Sequence, residues 1–223
     1  MNPAAAVLAA PVDALLVTAA GCPHCPGVRH AVEGLKSAGE LGSLTLLDAQ
    51  EHAAAVAELE LHSVPWLRLG WMVFEGVHSA ASLAHWARQA RDPLGAARYF
   101  DFLFSAGRRH LVARLVRRHP HTLDAFVHLM GDPEVGINTR LGIGVVLEEL
   151  VPEGLANPLV PGLGALTRHP DARLRGDAAH YLSLIPRPDV EAWLRPLCSD
   201  SHQDVRDIAC EALDEIHRIQ HAG

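Results

Sequence analysis

Cys22-Pro23-His24-Cys25 is the stretch that says most about this 223-residue chain. It follows a strand-like apolar run, residues 14–18, and precedes a helical pattern with apolar side chains at 28, 31, 32 and 35. The free N–H groups and the positive dipole end of a helix N-terminus make a thiol there easier to ionise. Because a thiolate attacks disulfides through a mixed disulfide, the tetrapeptide predicts thiol–disulfide chemistry.

The first ninety or so residues alternate strand and helix signals. Residues 44–48, 66–69 and 71–75 are strand candidates, a helical pattern covers 51–60, and the closing helix carries apolar residues at 83, 86, 87 and 90. The predicted order is strand, helix, strand, helix, strand, strand, helix. Because a helix joins the first two strands, they should be parallel, and the sequence predicts a small mixed sheet covered by helices.

This segment resembles a compact member of the thioredoxin superfamily, close to the minimal thioredoxin-like and glutaredoxin-like disulfide oxidoreductases. The resemblance covers roughly residues 12–91 and rests on the motifs Cys22-Pro23-His24-Cys25-Pro26, Val64-Pro65 and Phe74-Glu75-Gly76. The same CPHC tetrapeptide is carried by bacterial periplasmic disulfide-forming oxidases. Gly21 and Leu16 stand where thioredoxins have a tryptophan and a buried aspartate. We therefore do not expect the general efficiency of a thioredoxin.

The resemblance implies catalytic roles for four residues. Cys22 would be the exposed attacking thiol and Cys25 the buried resolving thiol. Pro65 would be a cis proline packed beside the disulfide. His24 would lie beside the Cys22 sulfur and, when protonated, favour the thiolate, which makes the disulfide a stronger oxidant.

The resemblance also implies a client-binding surface. Pro23, Val64, Pro65 and Trp66 would contact the client, and the backbone of Val64 would pair with an extended client segment. No cofactor is expected, because the sequence has no glycine-rich dinucleotide motif. A separate reductase, oxidant or small thiol would then exchange electrons with the pair.

Other interpretations of these residues stay open. The two cysteines could be half of a zinc site, but Cys198 and Cys210 lie in another region at an unsuitable spacing, so we predict no metal. The pair could also be a redox-inactive remnant kept for its fold, and Pro65 an ordinary trans proline. Cys198 and Cys210 could approach each other across the last helix pair, although buried structural thiols are the more frequent outcome.

The chain changes character after residue 91, and we predict two domains, residues 1–91 and 92–223. Amphipathic segments alternate with Gly, Pro and Asp in the second half, which predicts helices at 94–105, 107–118, 121–131, 136–151, 158–168, 171–184, 188–199 and 202–219. Arg140, Arg175 and Arg206 recur in similar segments, 35 and 31 residues apart. Such a period indicates stacked helix pairs, and we expect the arginines to bond to turn carbonyls and carboxylates between repeats.

This second half resembles HEAT-like repeats of the short bacterial kind, best at 200–213 and well at 171–184. The predicted fold class is therefore an α/β thioredoxin-like domain followed by an all-α HEAT-like repeat domain. HEAT arrays have no chemistry of their own, so the resemblance implies a surface that docks a protein partner.

Charge and hydropathy narrow the partners and the location. The formal net charge of −7 gives no reason to expect nucleic-acid binding, although a basic cluster at residues 108–121 leaves an anion site possible beside the more ordinary solvated helix face. No stretch has the length and apolarity of a membrane span. The apolar N-terminus lacks a Lys or Arg region, and Asp13 interrupts it, so we expect a cytoplasmic protein without a leader.

Two functions from different classes follow. The first is an enzyme, a thiol–disulfide oxidoreductase whose repeat domain docks a protein client. The second is a HEAT-type interaction scaffold whose thioredoxin-like module senses redox state or binds a partner without turnover. The direction of electron flow, the client and the oligomeric state are not predicted.

Overall fold

The computed structural model of the chain describes residues 10–221 and divides it into two compact units. The first, here the N-terminal unit, ends at Tyr99, and the second, the helical unit, begins at Phe100. Residues 1–9, which begin the segment considered above as a leader, lie outside the described residues.

The N-terminal unit is a four-stranded mixed sheet with helices. Its elements are β1 (Ala14–Thr18), α1 (Cys25–Ser37), β2 (Leu44–Asp48), α2 (Ala53–Ala57), β3 (Trp66–Leu69), β4 (Met72–Glu75) and α3 (Ala80–Gln89). The strand order is β2-β1-β3-β4, with β1 parallel to β2 and the other two pairs antiparallel. The predicted order of elements and the mixed sheet are confirmed.

Periodic apolar residues hold the helices against this sheet. Val28, Val32 and Leu35 of α1 are buried at helical spacing, and α3 buries Leu83 and Trp86 in the same way. Each side chain of this size that leaves water contributes about 1.5–3 kcal/mol, so these two faces account for much of the unit's cohesion.

Tyr99 closes the N-terminal unit with a fully buried hydroxyl. The backbone N–H of Val73 on β4 donates a hydrogen bond to Tyr99 Oη over 3.0 Å, and Oη donates to the Val73 carbonyl. Its ring lies among Trp71, Phe74 and Trp86, with centroid distances of 5.3–5.5 Å. One side chain therefore pins β4 through both its polar and its apolar parts.

The crossover between β2 and β3 is less regular than the sequence predicted. The helical pattern at 51–60 forms only one short helix, α2, and none of its residues is buried. Alanines supply four of its five residues, so there is little apolar surface to pack, and Glu60 leaves the helical region with a φ of 52°.

The helical unit contains the remaining elements. After α4 (Gly95–Ser105), in which the boundary falls, come α5 (Arg109–Arg118), α6 (Asp124–Gly131), α7 (Ile137–Leu150), α8 (Val160–Leu166), α9 (Ala172–Ser183), α10 (Glu191–Leu194) and α11 (Gln203–His221). Short 3₁₀ turns flank them at Pro120–Leu123, Val151–Glu153, Asn157–Leu159, Pro188–Val190 and Arg195–Ser199. No strand occurs in the part of this unit that the structure describes. The predicted fold class, an α/β unit followed by an all-α unit, is confirmed.

The predicted helix at 188–199 is the largest departure in this unit. It is broken into a 3₁₀ turn, the one-turn helix α10 and a second 3₁₀ turn. Pro196 explains why α10 does not continue, because proline lacks the N–H that an α-helix interior uses and its ring crowds the preceding turn.

Two glycines allow close packing between helices of this unit. A Cβ atom on Gly142 of α7 would lie 2.4 Å from the Phe104 ring, and one on Gly164 of α8 would lie 2.4 Å from the Trp193 ring. Neither position has room for a methyl group.

Within residues 10–221, no helix combines the length and the apolar character needed to cross a membrane.

Candidate active site around the Cys22–Cys25 pair

The loop after β1 carries Cys22, and α1 begins at Cys25. The two cysteines form a disulfide, with their Cα atoms 5.5 Å apart. Gly21 has a φ of +76°, which a residue without Cβ adopts readily, and the backbone N–H of Cys22 closes the turn on the Ala19 carbonyl over 3.2 Å. The local sequence thus folds the chain back so that both sulfurs meet at the first turn of the helix.

The two sulfurs differ in access to solvent. Cys22 is half-buried, whereas Cys25 is only 4% exposed. The backbone N–H of Cys25 donates a hydrogen bond to Cys22 Sγ over 3.1 Å. One sulfur therefore faces the surface, and it receives an N–H group from the start of the helix.

Val64 and Pro65 lie beside the disulfide. In the antiparallel pairing of β1 and β3, Trp66 is opposite Val17, so the residues before Trp66 reach the end of β1 from which the cysteine loop departs. The Val64 carbonyl oxygen is 3.9 Å from Cys22 Sγ. The Val64–Pro65 peptide bond is cis, which confirms the isomer that the resemblance implied.

A shallow groove runs along one side of the pair. Its volume is about 430 Å³, and its lining includes Pro23, His24, His30, Val77 and His78. His24 occupies the N-cap of α1, but its side chain makes no capping hydrogen bond, and it is exposed. Val77 is 64% exposed, so an apolar side chain of a bound molecule would find an apolar contact here.

Trp66 and Glu75 form a cross-strand pair behind the site. They are opposite each other in the β3–β4 register, and Trp66 is 2% exposed. The Trp66 Nε1 and Glu75 Oε1 atoms are both buried without a hydrogen-bond partner. The Trp66 ring therefore packs in the core, and only the backbone of this residue remains for a client to contact.

The structure thus gathers Cys22, Cys25, Val64 and Pro65 at one point, with Pro23 and His24 on the adjoining groove. Sequence reasoning did not assign the other groove residues, His30, Val77 and His78. A signal was present, since residues 77 and 78 directly follow Gly76, where β4 ends. Glu75 is the only polar residue of the strand Met72–Glu75, and this was a sign that its carboxyl group has an unusual environment.

The helical unit is tied together by the three recurring arginines. Arg140 donates to the Asp177 carboxylate over 2.6 Å and to the Asp132 carbonyl over 2.7 Å. Arg175 donates to both carboxylate oxygens of Asp200, over 2.7 and 2.8 Å, and Arg206 donates to the Asp200 carbonyl over 2.7 Å. The expectation that they bond to turn carbonyls and carboxylates is confirmed.

Residues 160–221 match the sequence family of HEAT repeats. The matched segment contains Arg175 and Arg206, so these bonds from one turn to the next belong to the HEAT part of the chain. The helical-repeat prediction is confirmed for these residues. A search of curated proteins found no match to the chain.

The helical unit also presents apolar and charged surface. Ile137, Leu141 and Val145, four residues apart along α7, are 66%, 64% and 39% exposed.

In the basic cluster, Arg117 pairs with Glu153 over 2.7 Å, and hydrogen bonding from Arg117 lowers the pKa of the Glu153 carboxyl. Part of the cluster's charge is therefore balanced within the unit. HEAT repeats, here residues 160–221, generally mediate contacts between proteins.

Proposed function

We propose that this chain is a thioredoxin-like thiol–disulfide oxidoreductase whose helical unit docks a protein client. One observation carries the proposal: a half-buried Cys22 is joined to a buried Cys25 at the N-terminus of α1, beside Val64 and the cis Pro65. The mixed four-stranded sheet with its covering helices fits a thioredoxin-like fold.

The chemistry is a two-step exchange at sulfur. A client thiolate attacks Cys22 Sγ, the Cys22–Cys25 bond breaks, and Cys25 leaves with the electron pair and takes up a proton. A second client thiolate then attacks the client sulfur of the mixed disulfide, and Cys22 leaves as the thiolate. The client gains a disulfide and the chain gains two thiols. Run in reverse, Cys22 attacks a client disulfide and Cys25 resolves it.

The surroundings of Cys22 support its role as the attacking group. When the pair is reduced, the Cys25 N–H and the positive end of α1 stabilise a thiolate on Cys22, which therefore ionises more readily than an ordinary cysteine. Of the two bonded cysteines, only Cys22 is accessible enough to meet a client sulfur. Cys25, which is bonded to Cys22 in the oxidised chain, stays close to it and competes well with bulk thiols for the mixed disulfide.

The neighbouring residues supply the client contacts. The backbone of Val64 would pair with an extended client segment, as β-augmentation requires, and Pro23 with the groove beside it would take the flanking side chains. The HEAT repeats would hold a more distant part of the same client protein. The exposed row Ile137, Leu141 and Val145 on α7, which precedes the segment that matches HEAT repeats, would add apolar surface for such docking. An external reductase or oxidant completes the cycle.

The test removes the other thiols first. In a Cys198→Ser/Cys210→Ser chain, Cys22 and Cys25 are the only cysteines, and this chain should reduce insulin with dithiothreitol as the electron source. Adding Cys22→Ser should abolish the activity. Adding Cys25→Ser should leave mixed disulfides between Cys22 and the client, visible on a non-reducing gel.

Two results would overturn the proposal. One is full activity in the chain that lacks Cys22. The other is an inert Cys198→Ser/Cys210→Ser chain beside an active wild type, which would move the chemistry to the helical unit.

The match to HEAT repeats favours a second candidate, an interaction scaffold in which the Cys22–Cys25 pair sets partner affinity. A pull-down with the wild-type chain in its oxidised and reduced states separates the two. Partners that change with redox state, together with negligible turnover, support the scaffold. Unchanged partners with rapid disulfide turnover support the enzyme.

A further inference from the structure

Cys198 and Cys210 occupy two helical segments that pack together in the last part of the chain. Cys198 lies in the 3₁₀ turn Arg195–Ser199, and Cys210 lies in α11, against which that turn packs. The residues just before them, Leu197 and Ala209, are buried, at 5% and 0% exposed. The backbones that carry the two cysteines are therefore fixed by the core.

The two thiols are free and interact with each other. Neither is in a disulfide; Cys198 is half-buried and Cys210 is exposed. Burial, followed by a hydrogen bond to the Cys210 thiol, raises the pKa of Cys198 to about 11. The expectation of a buried structural thiol is therefore wrong for Cys210, which is exposed on α11.

We propose that Cys198 and Cys210 form a second dithiol–disulfide site, reversibly oxidised by a low-molecular-weight disulfide of the glutathione type. The exposed Cys210 loses its proton and attacks the small disulfide, which releases one small thiolate. Cys198 then loses its proton and attacks Cys210 Sγ, which releases the second. The two cysteines give up two protons and two electrons, and the oxidant becomes two thiols.

Closing this bond would join α11 to the turn before it. The closed loop, residues 198–210, is short, and a cross-link of this kind disfavours the unfolded chain by limiting its conformations. Since α11 ends the segment that matches HEAT repeats, the redox state of this pair would set how firmly the last helix is held. This inference is independent of the proposed function at Cys22.

The test uses the full chain with Cys22→Ser and Cys25→Ser, so that only Cys198 and Cys210 remain. We expect glutathione disulfide to convert it to a monomer that has lost two hydrogens in mass and both maleimide-reactive thiols. Dithiothreitol should restore both thiols. The oxidised form should melt several degrees above the reduced form.

The matched control adds Cys198→Ser to the same chain. Cys210 should then keep one glutathione as a stable adduct, and the melting temperature should no longer rise on oxidation. Three results would overturn the proposal: stable adducts on both cysteines, disulfide-linked dimers in place of the internal bond, or two thiols that stay reduced while free glutathione disulfide is present. None of these results bears on the activity of Cys22, which the tested chain lacks.

Discussion

Cys25 donates its backbone N–H to Cys22 Sγ over 3.1 Å, so the sulfur nearer the surface is held by the backbone of the residue that carries the buried one. The contact joins the two cysteines independently of the disulfide between them. We expect the same N–H to stay directed at Cys22 when the disulfide opens. In the proposed function it would then stabilise a thiolate on Cys22, while Cys25 stays buried.

The first prediction concerns the order in which the reduced cysteines react. Cys22 should be alkylated by iodoacetamide at least about tenfold faster than Cys25, because it is more accessible and its thiolate is stabilised by α1. Peptide mapping of the reduced Cys198→Ser/Cys210→Ser chain measures both rates. Preferential labelling of Cys25 would contradict the assignment of Cys22 as the attacking thiol.

The second prediction concerns the reduction potential of the pair. Replacing His24 by alanine should shift the potential by about 30 mV or more towards reducing values, if His24 has the role that the resemblance implies, a positive charge that favours the Cys22 thiolate and so stabilises the reduced form. Equilibration with glutathione buffers measures the shift. His30→Ala is the matched control, since His30 also lies on α1 and lines the same groove. Equal shifts in both variants would show a general charge effect and count against a specific role of His24.

The third prediction concerns the Tyr99 hydroxyl. Tyr99→Phe should lower the free energy of unfolding of the N-terminal unit by about 1–3 kcal/mol, because the N–H and carbonyl of Val73 both lose a buried partner. Urea unfolding followed by tryptophan fluorescence measures the loss. Tyr181→Phe in the helical unit removes a single bond, to the Arg140 carbonyl, and should cost less. A larger loss for Tyr181→Phe would contradict the argument.

The fourth prediction concerns acid stability. Hydrogen bonds from Arg175, then from the His202 N–H, hold the pKa of Asp200 well below its ordinary value. An unfolded chain protonates the Asp200 carboxylate near pH 4, whereas the folded chain protonates it at a lower pH. The stabilisation from this carboxylate is therefore complete above about pH 4 and is lost as the pH falls from there towards the pKa of the folded state. Urea titrations at several pH values should show this loss.

Two substitutions test the source of that stabilisation. Asp200→Asn should cost about 1–3 kcal/mol at neutral pH and flatten the acid dependence, because Arg175 loses its charged partner. Asp189→Asn is the control, since its pair with Arg187 is exposed on both sides, and it should change stability very little. An equal loss of stability in the two variants would contradict the argument that the Arg175–Asp200 pair stabilises the fold more than the exposed Arg187–Asp189 pair does.

The fifth prediction compares two helical glycines. Gly164→Ala should destabilise the helical unit by about 1–3 kcal/mol, because its Cβ would lie 2.4 Å from Trp193 ring atoms. Gly144→Ala should be neutral or stabilising, since its Cβ would meet only Tyr181, at 3.8 Å, and alanine favours the helix. Thermal unfolding of the two variants measures both effects. Equal stability of the two variants would mean that α8 moves away from Trp193 at little cost.

Local signals explain what the sequence could predict. The apolar run before Cys22 predicts a strand, and the apolar spacing after Cys25 predicts a helix. The location of the cysteine pair between a strand and the start of a helix could therefore be predicted. In the second half, prolines and glycines between the amphipathic segments likewise indicated where most helices begin and end. The bonding of Arg140, Arg175 and Arg206 followed from their recurrence, because stacked repeats place equivalent residues at equivalent turns.

Features that depend on distant parts of the chain could not be predicted. The groove beside His24 joins residues of α1 to the segment after β4, which are far apart in sequence. The burial of the Trp66 ring depends on the β3–β4 register, which periodicity alone does not define. The break within 188–199 could be predicted only if the effect of Pro196 was weighed above the apolar pattern.

The short helix α2 buries none of its five residues, so this helix contributes almost nothing to the core. That makes it the natural place to attach a reporter. A fluorophore or affinity tag introduced at Ala54 would leave the sheet, the cysteine loop and the groove intact. Client capture could then be followed in real time from a position that takes no part in it.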